Sequence, residues 1–178
     1  MAENNDLAKI IAGCKDGDAE CFSHLVDIYA GRCFGYFYRL TGSREASDDL
    51  LGELFVRLVE KTGSFKGGCF EAWLFRIASN IFSDYLRDKQ RRRKLLNNRK
   101  GQLESRVSET KQSEAESESI DKLQIQLSKL DGETRELIML RFYSQTSFKE
   151  IAAMRGEPIG TVLSKVHRGL KKLRELMK

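Results

Sequence analysis

A row of polar and basic side chains near the carboxyl end is the pattern in this chain most suited to specific chemistry. Its members recur every three or four residues, as side chains on one helix face do: Thr161, Ser164, Lys165, Arg168 and Lys172. Hydroxyl and cationic groups at this spacing suit contacts to base edges and phosphates in a nucleic-acid groove. Taken alone, the row is equally typical of a solvated helix face.

The residues around this row predict a helix-turn-helix over Ser147 to Lys172. Ser147 and Glu150 form a capping box, in which each side chain accepts from the other residue's backbone amide. Gly156 and Pro158 separate the two helices, because Gly tolerates a left-handed backbone and Pro suits a first helical turn. Apolar residues form the packing side: Ile151, Ala152, Met154, Ile159, Val162, Val166, Leu170, Leu173 and Met177. A second helix held in this way enters a DNA major groove.

The composition predicts an all-α protein. The 178 residues include one Pro, and the sequence lacks the alternating β-branched runs of strands. The chain has no apolar run long enough to span a bilayer and no signal-peptide pattern at its start, so we expect a soluble cytoplasmic protein. Its net charge is +5. Phosphate attraction of this size does not give tight DNA binding by itself, which favours help from a partner.

The cysteines and histidines do not form a recognisable catalytic or metal motif. Cys14, Cys21, Cys33 and Cys69 lack the paired spacing of a zinc site, although Cys21 lies close to His24. We favour buried free thiols in a reducing compartment, with no metal and no cofactor. Neither His24 nor His167 belongs to a nucleophile motif, and no phosphate-binding Gly loop is present. The sequence therefore gives no indication of an enzyme.

The N-terminal half predicts three helices. Asp18 caps the first, which ends at Thr41-Gly42-Ser43. The second is acidic near its start and carries more apolar residues than one core face needs: Leu50, Leu51, Leu54, Phe55, Leu58 and Val59. A loop over 63–68 precedes a long helix from Phe70 to Arg93, whose polar side carries Arg76, Asn80, Ser83 and Arg87.

Charge and complexity divide the chain into two small helical domains, residues 1–100 and 120–178. Basic residues accumulate up to Lys100, and the sign then reverses. Residues 101–119 are rich in Glu, Ser and Gln and poor in large apolar residues, a composition typical of a flexible acidic linker. The C-terminal domain contains the helix-turn-helix, on a small core that starts near Ile120.

Three motifs, taken together, resemble the extracytoplasmic-function (ECF) group of bacterial sigma-70 family sigma factors. They are Asp48-Asp49-Leu50-Leu51-Gly52-Glu53-Leu54-Phe55, Ala72-Trp73-Leu74-Phe75-Arg76-Ile77-Ala78-Ser79-Asn80, and Gly160-Thr161-Val162-Leu163-Ser164-Lys165-Val166-His167-Arg168. The resemblance covers nearly the whole chain apart from the linker. It implies an initiation factor that binds core RNA polymerase and directs it to promoters.

The resemblance also implies a role for each motif. The helix from Ser43 to Lys61 would dock on the clamp coiled coil of the largest polymerase subunit, through Asp49, Glu53, Leu54 and Phe55. The helix from Gly160 would read the minus-thirty-five element, with His167 joining Thr161, Ser164, Lys165, Arg168 and Lys172. The linker would pass through the polymerase toward the RNA exit path.

The loop from Phe65 and the helix after it would open the minus-ten element and hold a flipped base. The residues implied there are Lys66, Phe70, Arg76, Asn80, Ser83 and Arg87, whereas we expect Trp73 to anchor the core. Members of this family are commonly held inactive by an anti-sigma protein. Exposed apolar residues are the surface implied for such a partner: Leu51, Leu54, Leu58, Leu170 and Leu173.

Three positions depart from the family pattern. Gly52 stands where Gln is usual, residues 66–69 form a short Gly-rich loop, and Leu163 replaces a frequent Lys or Arg. Two other functions fit parts of the sequence. A stand-alone helix-turn-helix regulator leaves the N-terminal block without a dimerisation or ligand role, and a protein-binding adaptor leaves both polar and basic stripes unexplained.

Overall fold

The computed structural model describes the backbone of residues 2–100 and 122–177, with side chains over 6–96 and 122–177. These ranges form helices and short turns without a strand, which confirms the all-α prediction. The α-helices are α1 (Ala2–Lys15), α2 (Ala19–Thr41), α3 (Arg44–Lys61), α4 (Phe70–Lys100), α5 (Lys122–Ser128), α6 (Gly132–Ile138), α7 (Phe148–Arg155) and α8 (Ile159–Leu176). The predicted linker over 101–119 lies outside the described residues. None of the described helices has the length and apolarity needed to cross a membrane.

Helices α1 to α4 form an N-terminal unit whose boundaries follow the predicted capping signals. The Asp18 carboxylate accepts from the backbone amides of Glu20 and Cys21 at the start of α2. Gly42 ends α2 in the left-handed region, with φ of 69°, and Ser43 caps α3. The sequence did not predict α1, which packs on α2. It also ended α4 too early, at Arg93, because a polar and basic surface helix lacks the apolar periodicity that marks a helix in sequence.

Helices α5 to α8 form a C-terminal unit that contains the helix-turn-helix. A π-helical turn over Met139–Tyr143 connects α6 to the loop before α7. Both halves of the predicted capping box at Ser147 and Glu150 are present. Gly156 ends α7 with φ of 65°, and Pro158 is the cap of α8 rather than its first helical residue.

The two units pack directly against each other. Helix α2 of the N-terminal unit contacts α5, α6 and the π-helical turn of the C-terminal unit. The contact is close at Gly35, where a Cβ would lie 2.3 Å from the hydroxyl oxygen of Tyr143. Buried residues of both units belong to a single apolar core. In this structure the two predicted domains are therefore units that pack against each other through a shared interface.

Candidate nucleic-acid interface

The predicted recognition helix α8 presents one polar face to solvent. Five of the six predicted side chains on it are exposed: Thr161, Ser164, His167, Arg168 and Lys172. The opposite face is buried and consists of Val162, Val166, Gly169 and Leu173. At Gly169 the helix approaches α6 so closely that a Cβ would lie 2.3 Å from the Thr134 methyl carbon. Tight packing on α6 therefore fixes the face that α8 turns outward.

Two side chains of this face lie along the axis of α8. The Ser164 hydroxyl donates to the Gly160 carbonyl over 2.8 Å, and Arg168 Nε donates to the Ser164 carbonyl over 3.3 Å. These bonds occupy one donor of each side chain. The terminal guanidinium nitrogens of Arg168 remain available for a bidentate contact to guanine or a contact to phosphate.

Lys165 differs from the exposed side chains beside it because its charge is paired within the protein. Its ammonium group lies 2.6 Å from a Glu133 carboxylate oxygen and 2.8 Å from one of Glu157. The hydrogen bonds to Glu133 and then to Glu157 raise the pKa of Lys165. In this conformation Lys165 joins α8 to the start of α6 and to the turn after α7. Its predicted contact with DNA stays a prediction, and these ion pairs would have to open for it to form.

The start of α8 also exposes apolar side chains. Leu163 is 43% exposed. Ile159, predicted to pack, is the first residue of α8 and is 48% exposed. Met177, also predicted to pack, is exposed at the other end of the helix. Ile159 and Leu163 lie four residues apart, so they form an apolar edge beside the polar face that can contact a thymine methyl group.

The predicted minus-ten residues on α4 share one side of that helix. Arg76, Asn80, Ser83 and Arg87 follow one another at spacings of four, three and four residues. At about 100° per residue they stay within roughly 60° of one another around the helix. Arg76, Asn80 and Arg87 are exposed, and Arg87 lies 2.8 Å from Asp84. Ser83 is half-buried because Arg155 of α7 donates to its hydroxyl over 3.2 Å.

The loop before α4 supports an aromatic cluster rather than a free aromatic ring. Phe70 is 4% exposed, with ring centroids of Tyr29, Phe65 and Trp73 at 5.6, 5.4 and 5.5 Å. Phe70 therefore does not reach the surface in this structure, and its predicted contact with a base stays a prediction. Trp73 packs in the same cluster, as expected. Lys66 is exposed beside Gly67 and Gly68, whose φ angles of 100° and 92° strongly favour glycine.

Helix α3 carries an acidic and apolar stripe on its outer side, which we call the α3 stripe. Its members are Glu45, Asp49, Gly52, Glu53, Val56 and Val59. Val56 is 60% and Val59 57% exposed. At about 100° per residue, the stripe lies opposite the buried Leu50, Leu54 and Leu58.

Two of the predicted polymerase contacts on α3 are buried or partly buried. Leu54 is fully buried, so it does not reach the surface in this conformation, and its predicted contact with polymerase stays a prediction. Phe55 is half-buried at the edge of the core. Of the apolar residues that the sequence indicated as a surplus, Val59 is exposed, and Val56, which was not among them, is exposed beside it. The sequence did contain a signal for Val56, because it is an apolar residue on the otherwise charged side of an amphipathic helix.

Both units of the chain match known protein families. The family description "Sigma-70 region 2" matches residues 25–92, and "Sigma-70, region 4" matches residues 126–175. Over 168 residues the chain is 31% identical to RNA polymerase sigma factor CarQ of Myxococcus xanthus, covering 92% of each protein. Over 157 residues it is 32% identical to ECF RNA polymerase sigma factor SigE of Mycolicibacterium smegmatis, covering 88% of this chain and 61% of that protein.

The chain belongs to the ECF group of RNA polymerase sigma factors. It is a transcription initiation factor of the sigma-70 family. A solved structure supports the fold of this sigma factor: RpoE of Bartonella quintana, in complex with the anti-sigma factor NepR, aligns with a TM-score of 0.68 and 25% identity. The alignment covers 88% of this chain and 96% of that one.

The cysteines of the sigma factor are free thiols, and no group of three potential metal ligands occurs among the described side chains. Burial raises the pKa of Cys14 to about 11 and that of Cys33 to about 12. Both thiols are therefore protonated near neutral pH, and the thiolate needed for metal binding or oxidation is scarce. Cys14 and Cys33 instead pack as small apolar side chains in the core.

Proposed function

We propose that the two units of this sigma factor read two promoter elements. The N-terminal unit would bind core polymerase and the minus-ten element, and the C-terminal unit would bind the minus-thirty-five element. The observation that carries the proposal is the geometry of α8. A capped α7, a left-handed Gly156 and close packing at Gly169 aim Thr161, Ser164 and Arg168 away from the protein. This is the arrangement in which a recognition helix enters a major groove.

The docking surface proposed for polymerase is the α3 stripe. It combines exposed carboxylates at Asp49 and Glu53 with exposed apolar area at Val56 and Val59. Glu53 pairs with Arg57 over 2.5 Å, which fixes its orientation. Gly52 leaves open space on this side of α3, since beyond its chain neighbours and the local helix backbone no atom lies within 4 Å of the position its Cβ would take. A partner helix can approach α3 closely at that point.

The surface proposed for the minus-ten strand is the row Arg76, Asn80, Ser83 and Arg87. Guanidinium groups can bind phosphates, and the Asn80 amide can donate to and accept from a base edge. Lys66 lies in the adjacent loop and extends the positive surface. In this proposal the buried Phe70 does not touch the DNA itself but holds the loop in place.

An anti-sigma protein is the further partner that we propose. The RpoE structure, which this chain resembles over most of its length, contains an anti-sigma factor. Leu50, Leu54 and Leu58 are buried in the described structure, and Leu173 is 9% exposed. The exposed apolar side chains on α3, Val56 and Val59, are therefore better candidates for such a contact than Leu54 or Leu58. We also propose that the protein works in the cytoplasm, where its polymerase lies, and that it has no enzymatic activity of its own.

Transcription in vitro tests the proposed function. Core polymerase would be incubated with fragments of the host genome, with and without this protein, and RNA 5′ ends would be sequenced. We expect new start sites that share two upstream motifs and appear only when the protein is present. The Asp49→Arg variant is a control that should lose them together. A stand-alone regulator would instead bind its operators without polymerase and leave the start sites of the core enzyme unchanged.

A further inference from the structure

The loop over residues 66–69, which we call the pre-α4 loop, presents mainly backbone to solvent. Its four residues are exposed, and Gly67 and Gly68 at its centre have φ angles of 100° and 92°. A Cβ at either glycine would meet no atom within 4 Å beyond the glycine's own chain neighbours. The peptide groups of these glycines can therefore approach a nucleic acid closely and exchange hydrogen bonds with a base edge. Such contacts depend on the direction of the backbone, so they require a loop whose shape is fixed.

A cation from α1 holds the first end of the pre-α4 loop. Phe65, directly before the loop, is 8% exposed and packs on Phe70 and Trp73 at centroid distances of 5.4 and 5.2 Å. The ammonium nitrogen of Lys15, the last residue of α1, lies 5.5 Å from the centroid of the Phe65 ring. Helix α1 also packs on the 3₁₀ turn over Thr62–Ser64. An ammonium group over an aromatic face is attracted by the ring, so Lys15 restrains Phe65 where the chain enters the loop.

A cation from α2 holds the second end of the pre-α4 loop. Phe70 begins α4 directly after the loop, and Glu71 follows it. The Arg32 guanidinium donates to a Glu71 carboxylate oxygen over 2.7 Å and lies 5.7 Å from the centroid of the Phe75 ring. A guanidinium is planar and rigid, so these two contacts fix its direction. Arg32 therefore ties the first turns of α4 to α2.

We propose that Lys15 and Arg32 are positioning residues for promoter recognition, which hold the two ends of the pre-α4 loop in the shape that lets its glycines read a base of the minus-ten strand. The proposal rests on the assignment of the minus-ten element to the N-terminal unit. Both cations already face a partner within the protein, Phe65 for Lys15 and Glu71 for Arg32. They therefore act through the loop rather than by touching DNA.

Transcription from templates that lack single bases tests the role of Lys15. Start sites mapped with the wild type define the minus-ten element, and each template carries an abasic site at one non-template position of it. An abasic site removes the base and leaves the phosphate. We expect one position at which the wild type loses most transcription, and a loss there that is about two- to fivefold smaller for Lys15→Met. Lys15→Arg, which restores a cation over the ring, should lose as much as the wild type.

The matched control is Lys9→Met, since Lys9 lies on the same helix with a side chain that is 73% exposed. It removes the same charge and should respond to the abasic site as the wild type does. Substitutions in the minus-thirty-five element should reduce transcription equally for every variant, because α8 is unchanged. Thermal denaturation should show a folded protein in each case.

A second pair of variants tests Arg32. Arg32→Gln removes the cation from Glu71 and should reduce the loss at the abasic site as Lys15→Met does. Arg32→Lys keeps a cation for Glu71 and should behave like the wild type. Rescue by the conservative variant separates the contact with Glu71 from a general effect of any change at this position.

Three results overturn the proposal. An undiminished loss at the abasic site in Lys15→Met or Arg32→Gln excludes a positioning role for the substituted residue. A uniform decrease on all templates, with a salt slope reduced by about one, assigns Lys15 to a phosphate instead. A Lys15→Arg variant as defective as Lys15→Met shows that the charge over the ring is not what acts. Failure of the proposed function is distinguishable, because the wild type itself would then give no start sites that share a minus-ten motif.

Discussion

Arg168 and Lys165 lie one turn apart on α8, yet different groups surround their charges. The guanidinium of Arg168 makes one bond along its own helix, whereas the ammonium of Lys165 lies between the carboxylates of Glu133 and Glu157. A cation that is already paired gains little from a phosphate, because the existing pairs must first be broken. The two residues are therefore expected to respond differently to mutation.

We expect Arg168→Ala to reduce transcription through the minus-thirty-five element. If Arg168 contacts a base, the loss is about 1–3 kcal/mol and preference relaxes at one base pair. The measurement is transcription from templates with and without substitutions in that element, with Arg174→Ala, on a different side of α8, as the control. Equal sensitivity of wild type and Arg168→Ala to the DNA substitutions would show that Arg168 does not read the element.

We expect Lys165→Met to lower stability rather than promoter preference. Partly exposed ion pairs of this kind contribute about 0.2–1 kcal/mol each. Urea denaturation should show a lower free energy of unfolding for Lys165→Met than for Lys171→Met, a change at an exposed position on the same helix. A relaxed base preference with unchanged stability would instead assign Lys165 to DNA.

Helix α3 has a buried face and an exposed face, and the exposed face is the one proposed to dock on polymerase. We expect Val56→Ser to weaken association with core polymerase while the free energy of unfolding changes little, because Val56 is 60% exposed. Leu54→Ala removes a fully buried side chain and should cost about 2–5 kcal/mol of stability. Competition for core polymerase measures the first effect, and thermal denaturation the second. Full competition by both Val56→Ser and Asp49→Arg would exclude the α3 stripe as the docking surface.

The start of α7 gives a prediction for acid stability. Hydrogen bonds from the Ser147 side chain and backbone hold the pKa of Glu150 below its ordinary value of 4.5. A depressed folded-state pKa contributes stability above the unfolded value, and this stability is lost as pH falls through the folded value. We expect Glu150→Gln to be less stable than the wild type at neutral pH, with the difference shrinking below pH 4.5.

Ser147→Ala provides a second measure of the same cap and should cost about 1 kcal/mol. Glu175→Gln, at an exposed position on α8, is the control for loss of a carboxylate. Chemical denaturation at several pH values measures all three variants. A difference between wild type and Glu150→Gln that stays constant through the acid range would contradict the role of the ionised carboxylate.

The intact sigma factor is expected to be inactive on promoter duplexes without core polymerase. Its net charge of +5 is modest, and its proposed DNA contacts are divided between two units that cover one another in part. Electrophoretic mobility shift at physiological salt should detect no sequence-specific complex with the protein alone and a specific complex with polymerase added. Tight specific binding by the free protein would contradict the proposed division of contacts.

The sequence alone predicted the features that depend on neighbouring residues. The cap at Asp18, the capping box at Ser147 and Glu150, and the left-handed Gly156 are all present, because each is set by interactions within one turn. Periodicity also predicted which side of α8 is polar. The family motifs predicted membership of the ECF sigma factors, since they preserve residue types in order across both units.

The packing of the helices determines which apolar positions are buried and which charged side chains are paired. Whether Leu54 or Val56 is buried depends on where α2 and α4 lie, and the pairing of Lys165 depends on carboxylates 32 and 8 residues away. The Ser79–Glu136 contact joins residues 57 positions apart. Local sequence patterns carry no information on such distant pairs, because they form when separate helices pack. The interface that joins the two units is therefore a property of the folded molecule.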